Sequence, residues 1–210
     1  MRYFFSLSFL ILFSTEALSV NYIKLYFDEK YELLLNSLGK EEAIQDRDYN
    51  FVLGMMYGNG KGVESNVKLA EKYLYKANEL GQPEALVELG VILINTYGET
   101  EESMEKILPL FFEAANKGNR RAQSKISTFY FKGDWLKKDE KQAFKFASLA
   151  ANQGYPFSMY YLGHFYEVGI GTQIDMEKSY YWFQKCSKIK YDLVQDTCLE
   201  EIKNSKWIKK

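Results

Sequence analysis

A repeat of about 36 residues runs through most of this chain and restricts the fold more than any other feature. A Leu-Gly pair recurs at intervals of 36, 37 and 36 residues, as Leu53-Gly54, Leu89-Gly90, Ile126-Ser127 and Leu162-Gly163. A second marker keeps the same step at Ala77, Ala114, Ala150 and Cys186. A period of this length is typical of solenoids, in which each unit packs against its neighbours. The chain is therefore predicted to be a stack of repeated units.

Each unit is predicted to contain two helices, A and B. In the first unit helix A runs from about Arg47 to Met56, and helix B from about Asn66 to Leu80. Helix A carries an apolar stripe of helical period, Tyr49, Leu53, Met56 and Tyr57. The loop between the helices is rich in glycine, which adopts positive φ without steric cost.

Glycine and capping residues mark the ends of these helices. Helix B is expected to begin at a capping side chain, and the aligned positions are Asn66, Glu102, Asp139 and Asp175. Gly81 is expected to end helix B of the first unit. The Gly of each Leu-Gly pair lies inside a helix, where it costs about 1 kcal/mol against Ala. We expect it to let a neighbouring helix approach closely.

These residues resemble the Sel1-like repeat family, which is related to the tetratricopeptide repeats. The first unit matches the family pattern at Leu53, Gly54, Tyr57, Gly60, Gly62, Val63, Lys76, Ala77 and Gly81, and the fourth at Leu162, Gly163, Tyr166, Gly169, Gly171, Asp175, Trp182 and Lys185. The second unit lacks most of the glycine loop, and the third has Trp135 where Gly62 and Gly171 stand. The resemblance implies an all-α fold, a right-handed α-α superhelix of about four helix-turn-helix repeats with terminal helices.

The resemblance covers residues 47–188 and divides them into four repeats, 47–82, 83–118, 119–154 and 155–188. An opening helix is expected within 20–46, from Ile23 to Leu38, and a closing helix within 189–210, from Tyr191 to Asn204.

Residues 1–19 have the pattern of a cleaved signal peptide. Arg2 supplies a positive charge, an apolar run follows from Tyr3 to Phe13, and Ala17 and Ser19 place small residues before the cleavage point. A membrane anchor is the alternative, but the run is shorter than the roughly 20 residues that span a bilayer. We expect a periplasmic protein that is soluble after cleavage.

Export changes the interpretation of the two cysteines, Cys186 and Cys198. In an oxidising compartment an even pair favours a disulfide. Two free thiols and a metal site are the alternatives, although the single His164 does not complete a four-ligand set with them.

The face of helix A opposite the core stripe is expected to line the inner surface of the superhelix. Its columns are Asp48/Glu84/Arg121/Phe157, Val52/Glu88/Lys125/Tyr161 and Met55/Val91/Thr128/His164. Their character changes in every unit, as a surface tailored to one protein partner would. A solvated face that is free to vary is the alternative. The predicted partner-binding residues are Val52, Met55, Glu88, Val91, Lys125, Thr128, Tyr161 and His164, with Trp135 at the rim.

Trp135 has two interpretations. It either exposes about 200 Å² of apolar surface as a binding anchor or folds back on helix B of its own repeat. Acidic residues gather around Glu101 and basic residues around Lys125; such patches are solvated surface or steer a charged protein.

Nothing in the sequence indicates catalysis, a metal site or a cofactor. The only histidine, His164, occupies a groove column and has no triad context. The formal net charge of −1 gives no reason to expect a nucleic acid partner. The sequence does not indicate an oligomeric state.

The predicted function is a periplasmic interaction module that binds one protein partner in its concave groove. Small exported members of the family include immunity proteins that neutralise antibacterial effectors, such as type VI secretion phospholipases, and this is the leading hypothesis. An adaptor for envelope or secretion machinery is the alternative. A remote alternative is a β-lactam-binding or hydrolysing enzyme, whose relatives carry a cysteine pair in nearly every repeat.

Overall fold

The described part of the chain, residues 21–38, 40–190 and 192–204 of a computed structural model, folds into helices and loops. The helices are α1 (Tyr22–Phe27), α2 (Tyr31–Leu35), α3 (Glu41–Ile44), α4 (Arg47–Asn59), α5 (Val67–Glu79), α6 (Glu84–Tyr97), α7 (Glu101–Asn116), α8 (Arg120–Lys132), α9 (Glu140–Asn152), α10 (Pro156–Val168), α11 (Met176–Ser187) and α12 (Asp192–Asn204).

Consecutive helices pack as pairs: α4 with α5, α6 with α7, α8 with α9, and α10 with α11. Each pair also contacts the next through α5–α6, α7–α8 and α9–α10. This succession of nearest-neighbour contacts is the architecture of an α-α superhelix and confirms the predicted fold class. The helix A positions belong to α4, α6, α8 and α10.

The glycine of the Leu-Gly pair receives a large side chain from helix B of the same unit. A Cβ on Gly54 would lie 2.4 Å from Cγ of Leu74, and one on Gly90 would lie 2.8 Å from the ring of Phe111. Gly163 faces Phe183 in the same way. Both distances are far below normal van der Waals contact, so the predicted close approach of two helices is confirmed.

In the third unit the residue on helix A at this contact is larger, and the residue on helix B is smaller. Ser127 occupies the Gly position, and its hydroxyl donates a hydrogen bond to the carbonyl oxygen of Ala143 at 2.8 Å. The helix B position that holds Leu74 in the first unit holds the fully buried Ala147 here. A larger residue on one helix is thus matched by a smaller one on the other.

Three of the four expected capping residues cap helix B. The side chains of Asn66, Asp139 and Asp175 accept hydrogen bonds from backbone N–H groups three residues later. In the second unit the cap is Thr100 and not Glu102, because the shorter loop there starts α7 at Glu101. Thr100 and Ser103 form a capping box, and Glu102 lies in the first turn, where its charge complements the helix dipole.

Two further local features concern glycine and proline. Gly60 and Gly62, in the loop of the first unit, have φ of +66° and +71°, as the loop pattern predicts. Pro109 lies inside α7, which continues past it to Asn116. Because proline has no N–H, α7 lacks one hydrogen bond at this turn.

The opening segment is not the single helix expected over Ile23–Leu38. It is divided into α1 and α2 by Glu29, whose φ of +57° is incompatible with a right-handed helix. The hydroxyl of Tyr49 in α4 donates a hydrogen bond to the carbonyl of Leu34 at 3.2 Å, which fastens α2 to the first unit. The predicted signal peptide, residues 1–19, lies outside the described residues.

A disulfide closes the other end of the array. Cys186 of α11 and Cys198 of α12 are bonded and buried, which confirms the predicted pairing. Within the described residues the closing helix covers Asp192–Asn204, which lies inside the expected range of Tyr191 to Asn204. The disulfide therefore ties α12 to the last repeat.

Candidate partner-binding groove

A groove crosses the A helices of the second, third and fourth units, α6, α8 and α10. It contains a cavity of about 320 Å³, which is at the small end of the range of ligand pockets. The cavity is lined by Val87, Glu99, Arg121, Ser124, Lys125, Thr128, Phe129, Lys132, Asp134, Trp135, Tyr155, Phe157 and Tyr161. The cavity wall therefore combines charged groups with aromatic rings.

Helix α8 supplies the cations of this groove. Arg121, Lys125 and Lys132 share one face because they are four and seven residues apart. Lys125 is exposed and has no ion pair or side-chain hydrogen bond within the described residues. Lys132 reaches Asp134 only at 4.0 Å, and both side chains are more than half exposed.

Arg121 instead joins two units of the array. Its guanidinium donates a hydrogen bond to Glu88 of α6, so the third unit is tied to the second. Burial disfavours the charged guanidinium, but the hydrogen bond and the attraction of Glu88 outweigh it and raise the pKa of Arg121. Arg121 is therefore a fixed, charged wall of the groove.

Trp135 is half-buried at the rim of the cavity and packs against the main core. Its indole Nε1 donates a hydrogen bond to Oε2 of Glu99 at 3.1 Å. Glu99 belongs to the loop of the preceding unit. Trp135 is thus neither a fully exposed anchor nor folded on helix B of its own repeat. It contacts the previous repeat and still presents part of its ring to the groove.

The aromatic wall opposite α8 comes from α10. Tyr161 is half-buried and packs its ring 6.3 Å from Phe131 and 6.1 Å from Phe165, centroid to centroid. Phe157, one turn earlier on α10, lies 5.9 Å from Tyr155. Packing of this kind holds the rings in place, so the apolar part of the groove is preformed.

Seven of the nine predicted binding residues divide into three groups. Lys125, Thr128, Trp135 and Tyr161 line the cavity together. Glu88 borders it through its ion pair with Arg121. Val91 and His164 are half-buried on the A helices but are not among the cavity walls, and Nδ1 of His164 lies 3.4 Å from Oε2 of Glu167.

The assignment of Val52 and Met55 to an open surface is wrong. Their exposed fractions are 0% and 8%. Helix α4 is enclosed because α1 contacts it in addition to α5 and α6. Tyr26 of α1 makes a side-chain hydrogen bond with Asn59 at the end of α4, and its burial raises the pKa of the hydroxyl. The groove therefore opens only from α6 onward.

Sequence reasoning left nine of the thirteen cavity residues out of the predicted site, and three of these nine carried a recognisable signal. Arg121 and Phe157 belong to the outer helix A column, which varies as strongly as the two columns that were chosen. Glu99 lies 36 residues before Trp135, which is one repeat period. A search for polar partners one period apart would have found that contact.

The described residues contain no group of three or more His, Cys, Asp or Glu side chains placed to hold a metal ion. None of the described helices has the length and hydropathy of a membrane-spanning segment.

The Sel1 repeat family profile matches residues 48–82, 120–155 and 156–187. The unit that it leaves out is the second, whose loop lacks most of the glycines, although α6 and α7 form the same helix pair.

The chain is 37% identical over 79 residues to the chitin synthase regulator SKT5 of Saccharomyces cerevisiae, covering 37% of this chain and 11% of that protein. It is 28% identical over 142 residues to chitin synthase regulatory factor 1 of Schizosaccharomyces pombe, covering 66% of this chain and 31% of that protein. The chain thus spans less than a third of either relative.

Solved structures share the fold at low sequence identity. A Sel1 repeat protein from Oxalobacter formigenes superposes with a TM-score of 0.70 and 24% identity, over 86% of this chain and 73% of that one. A protective antigen of uropathogenic Escherichia coli with an SLR fold gives 0.64 and 22%, over 87% of this chain and 36% of that one. Sel1 repeat proteins act as protein–protein interaction modules and are typically scaffolds without catalytic activity. With its matching repeats and this shared superhelix, the chain belongs to the Sel1-like repeat family.

Proposed function

We propose that this chain binds one protein partner in the groove across α6, α8 and α10. The observation that carries the proposal is the meeting of Arg121, Trp135 and Tyr161 around one cavity. Trp, Tyr and Arg are the residues enriched in the energetic centres of protein interfaces. The core columns that begin at Leu53 and Met56 stay apolar in every unit, whereas the groove positions change.

The test is a pair of truncations, Trp135→Ala and Tyr161→Ala. The partner is first captured from periplasmic extract and identified by mass spectrometry, and its affinity is then measured with each purified variant. A residue at the centre of the interface contributes at least about 2 kcal/mol, so each variant is expected to bind about 30-fold more weakly. Tyr181→Ala is the matched control, because Tyr181 is exposed on α11 outside the groove. If the affinity and the helical content of both variants stay unchanged, the groove is not the partner-binding site.

The proposal includes export to the periplasm. It is supported by the predicted signal peptide over residues 1–19 and by the disulfide between Cys186 and Cys198, since disulfides persist in oxidising compartments. Cell fractionation with thiol labelling tests it. A protein retained in the cytoplasm, with both thiols reduced, would contradict this part of the proposal.

Within this role, we place the chain among immunity proteins that sequester an antibacterial effector of the phospholipase type. Sequestration needs a binding surface and no chemistry of its own, which suits a scaffold in the compartment where such toxins arrive. The support is the resemblance to exported family members. The test is co-expression with the effector encoded beside the gene. A toxin that kills equally with and without this protein rules immunity out.

A regulatory adaptor is the second candidate function. The observation that favours it is that both matched relatives are named as regulators of chitin synthase. An adaptor is expected to pull down envelope or secretion components and to give no protection against a toxin. Hydrolysis of a chromogenic β-lactam by the purified protein would instead support the remote enzymatic alternative.

A further inference from the structure

The charged side chains that remain available in the groove are mainly positive, and this indicates what the groove binds. We infer that it takes a single segment of the protein partner that presents a carboxylate side chain beside an apolar side chain. This inference rests on the proposed function and adds the chemistry of the partner to it.

Two of the three anionic groups in and beside the cavity are already engaged. Glu88 accepts a hydrogen bond from Arg121, and Glu99 accepts one from the indole of Trp135. Asp134 has only its contact with Lys132 at 4.0 Å, and both of these side chains are more than half exposed. The cavity walls carry three cations and only two carboxylates. A basic side chain entering the groove would therefore have to share an engaged carboxylate with its present donor or bind at the exposed Asp134.

A cation is free in the same place. Lys125 is exposed on α8 and has no side-chain partner within the described residues, and Lys132 has only its long, solvent-exposed contact. An incoming carboxylate gains a charge-assisted hydrogen bond there and displaces nothing. Charge complementarity therefore favours an acidic ligand over a basic one.

Apolar surface adjoins the two lysines. Trp135, Phe157 and Tyr161 line the cavity, and each is half-buried, so part of each ring remains open to a ligand. The volume of about 320 Å³ admits one or two side chains rather than a whole protein surface. Exclusion of water by an apolar side chain strengthens the neighbouring carboxylate contact.

The size of the groove fits one segment. Covering of α4 by α1 leaves the A helices α6, α8 and α10 to line it. The cavity of about 320 Å³ among them takes side chains from one helix or one extended strand.

The experiment selects random 12-residue peptides displayed on phage against the immobilised purified protein. Clones that bind the parent but not the Trp135→Ala variant are taken as groove binders, synthesised, and measured by fluorescence anisotropy. We expect most groove binders to carry Asp or Glu next to an aromatic residue or Leu. Lys125→Glu is expected to weaken a representative peptide about tenfold, since it replaces an attraction by a repulsion in a partly desolvated site.

Two variants serve as controls. Lys125→Arg keeps the positive charge and is expected to retain binding. Lys68→Glu makes the same charge change at an exposed site on α5, outside the groove, and is expected to leave the affinity unchanged.

The outcomes separate this inference from the function on which it rests. Groove binders without acidic residues, or with equal affinity for the parent and for Lys125→Glu, overturn the inference and leave the binding groove standing. Selection that yields no clones sensitive to Trp135→Ala overturns both.

Discussion

Replacement of Gly54 by Ala sets two energetic effects of opposite sign against each other. Inside a helix Ala is favoured over Gly by about 1 kcal/mol. In α4, however, the added Cβ would lie 2.4 Å from Cγ and 2.7 Å from Cδ2 of Leu74, and 3.2 Å from its backbone nitrogen. Carbon atoms pack best at about 3.5–4.0 Å, so Leu74 or its helix must move by about 1 Å.

Leu74 has little freedom to move, because it is fully buried and its own backbone is part of the contact. Overpacking of a buried site typically costs about 1–3 kcal/mol and more where backbone must shift. We take about 3 kcal/mol at this site, which leaves a net loss of about 2 kcal/mol after the gain in helix propensity. For a chain of this size that corresponds to a decrease in Tm of about 4–8 °C.

The assay is urea unfolding followed by circular dichroism, with a check that the denaturant slope is unchanged. Gly58→Ala is the matched control in the same helix, since its Cβ would meet only side-chain atoms, Cδ1, Cγ1 and Cγ2 of Ile92 at 2.3, 2.8 and 3.2 Å, and no backbone atom is among these nearest contacts. We expect a smaller loss there. A Gly54→Ala variant as stable as the parent would refute the close approach of α4 and α5 as the reason for this glycine.

Three further predictions concern other parts of the array. Reduction of the bond between Cys186 and Cys198 is expected to lower the free energy of unfolding by about 3 kcal/mol. It should release α12 first, which would be visible as faster amide exchange in that helix. Unchanged exchange would contradict this prediction. Pro109→Ala is expected to stabilise the protein by about 1–2 kcal/mol, because it restores a hydrogen bond inside α7, and a lower urea midpoint would count against this. A hydrogen bond from Lys117 holds the pKa of Glu113 below 4.5, so its stabilisation is present above pH 4.5 and is lost as the pH falls through the lowered pKa. Because Glu113 is exposed, Glu113→Gln should cost at most about 0.5 kcal/mol at pH 7, and the difference from the parent should disappear as the pH falls through the lowered pKa of Glu113.

Features that repeat with the period were predictable from the sequence. The pairing of helices, the positive φ at Gly60 and the close approach at Gly54 each follow from a marker that keeps its register along the chain. The disulfide also followed, because only two cysteines are present and the predicted compartment is oxidising.

Features that depend on breaks in the period were missed. Val52 and Met55 are buried in α4, which is contacted by α1, and α1 precedes the first repeat and has no equivalent in the others. The cap at Thr100 escaped alignment because the second unit has a shorter loop. Alignment to a fixed register assumes that every unit has the same neighbours. That assumption is false at these positions.

The matched sizes at the A–B contact have a consequence for how such an array changes over generations. Gly90 with Phe111, and Ser127 with Ala147, are two different solutions of one steric problem. Recombination that moves a whole unit carries both halves of a solution together. A crossover inside a unit would set Phe against Ser, which overfills the space, or Ala against Gly, which leaves it empty. Recombination is therefore expected to exchange whole helix pairs, with its viable breakpoints in the loops that join one pair to the next.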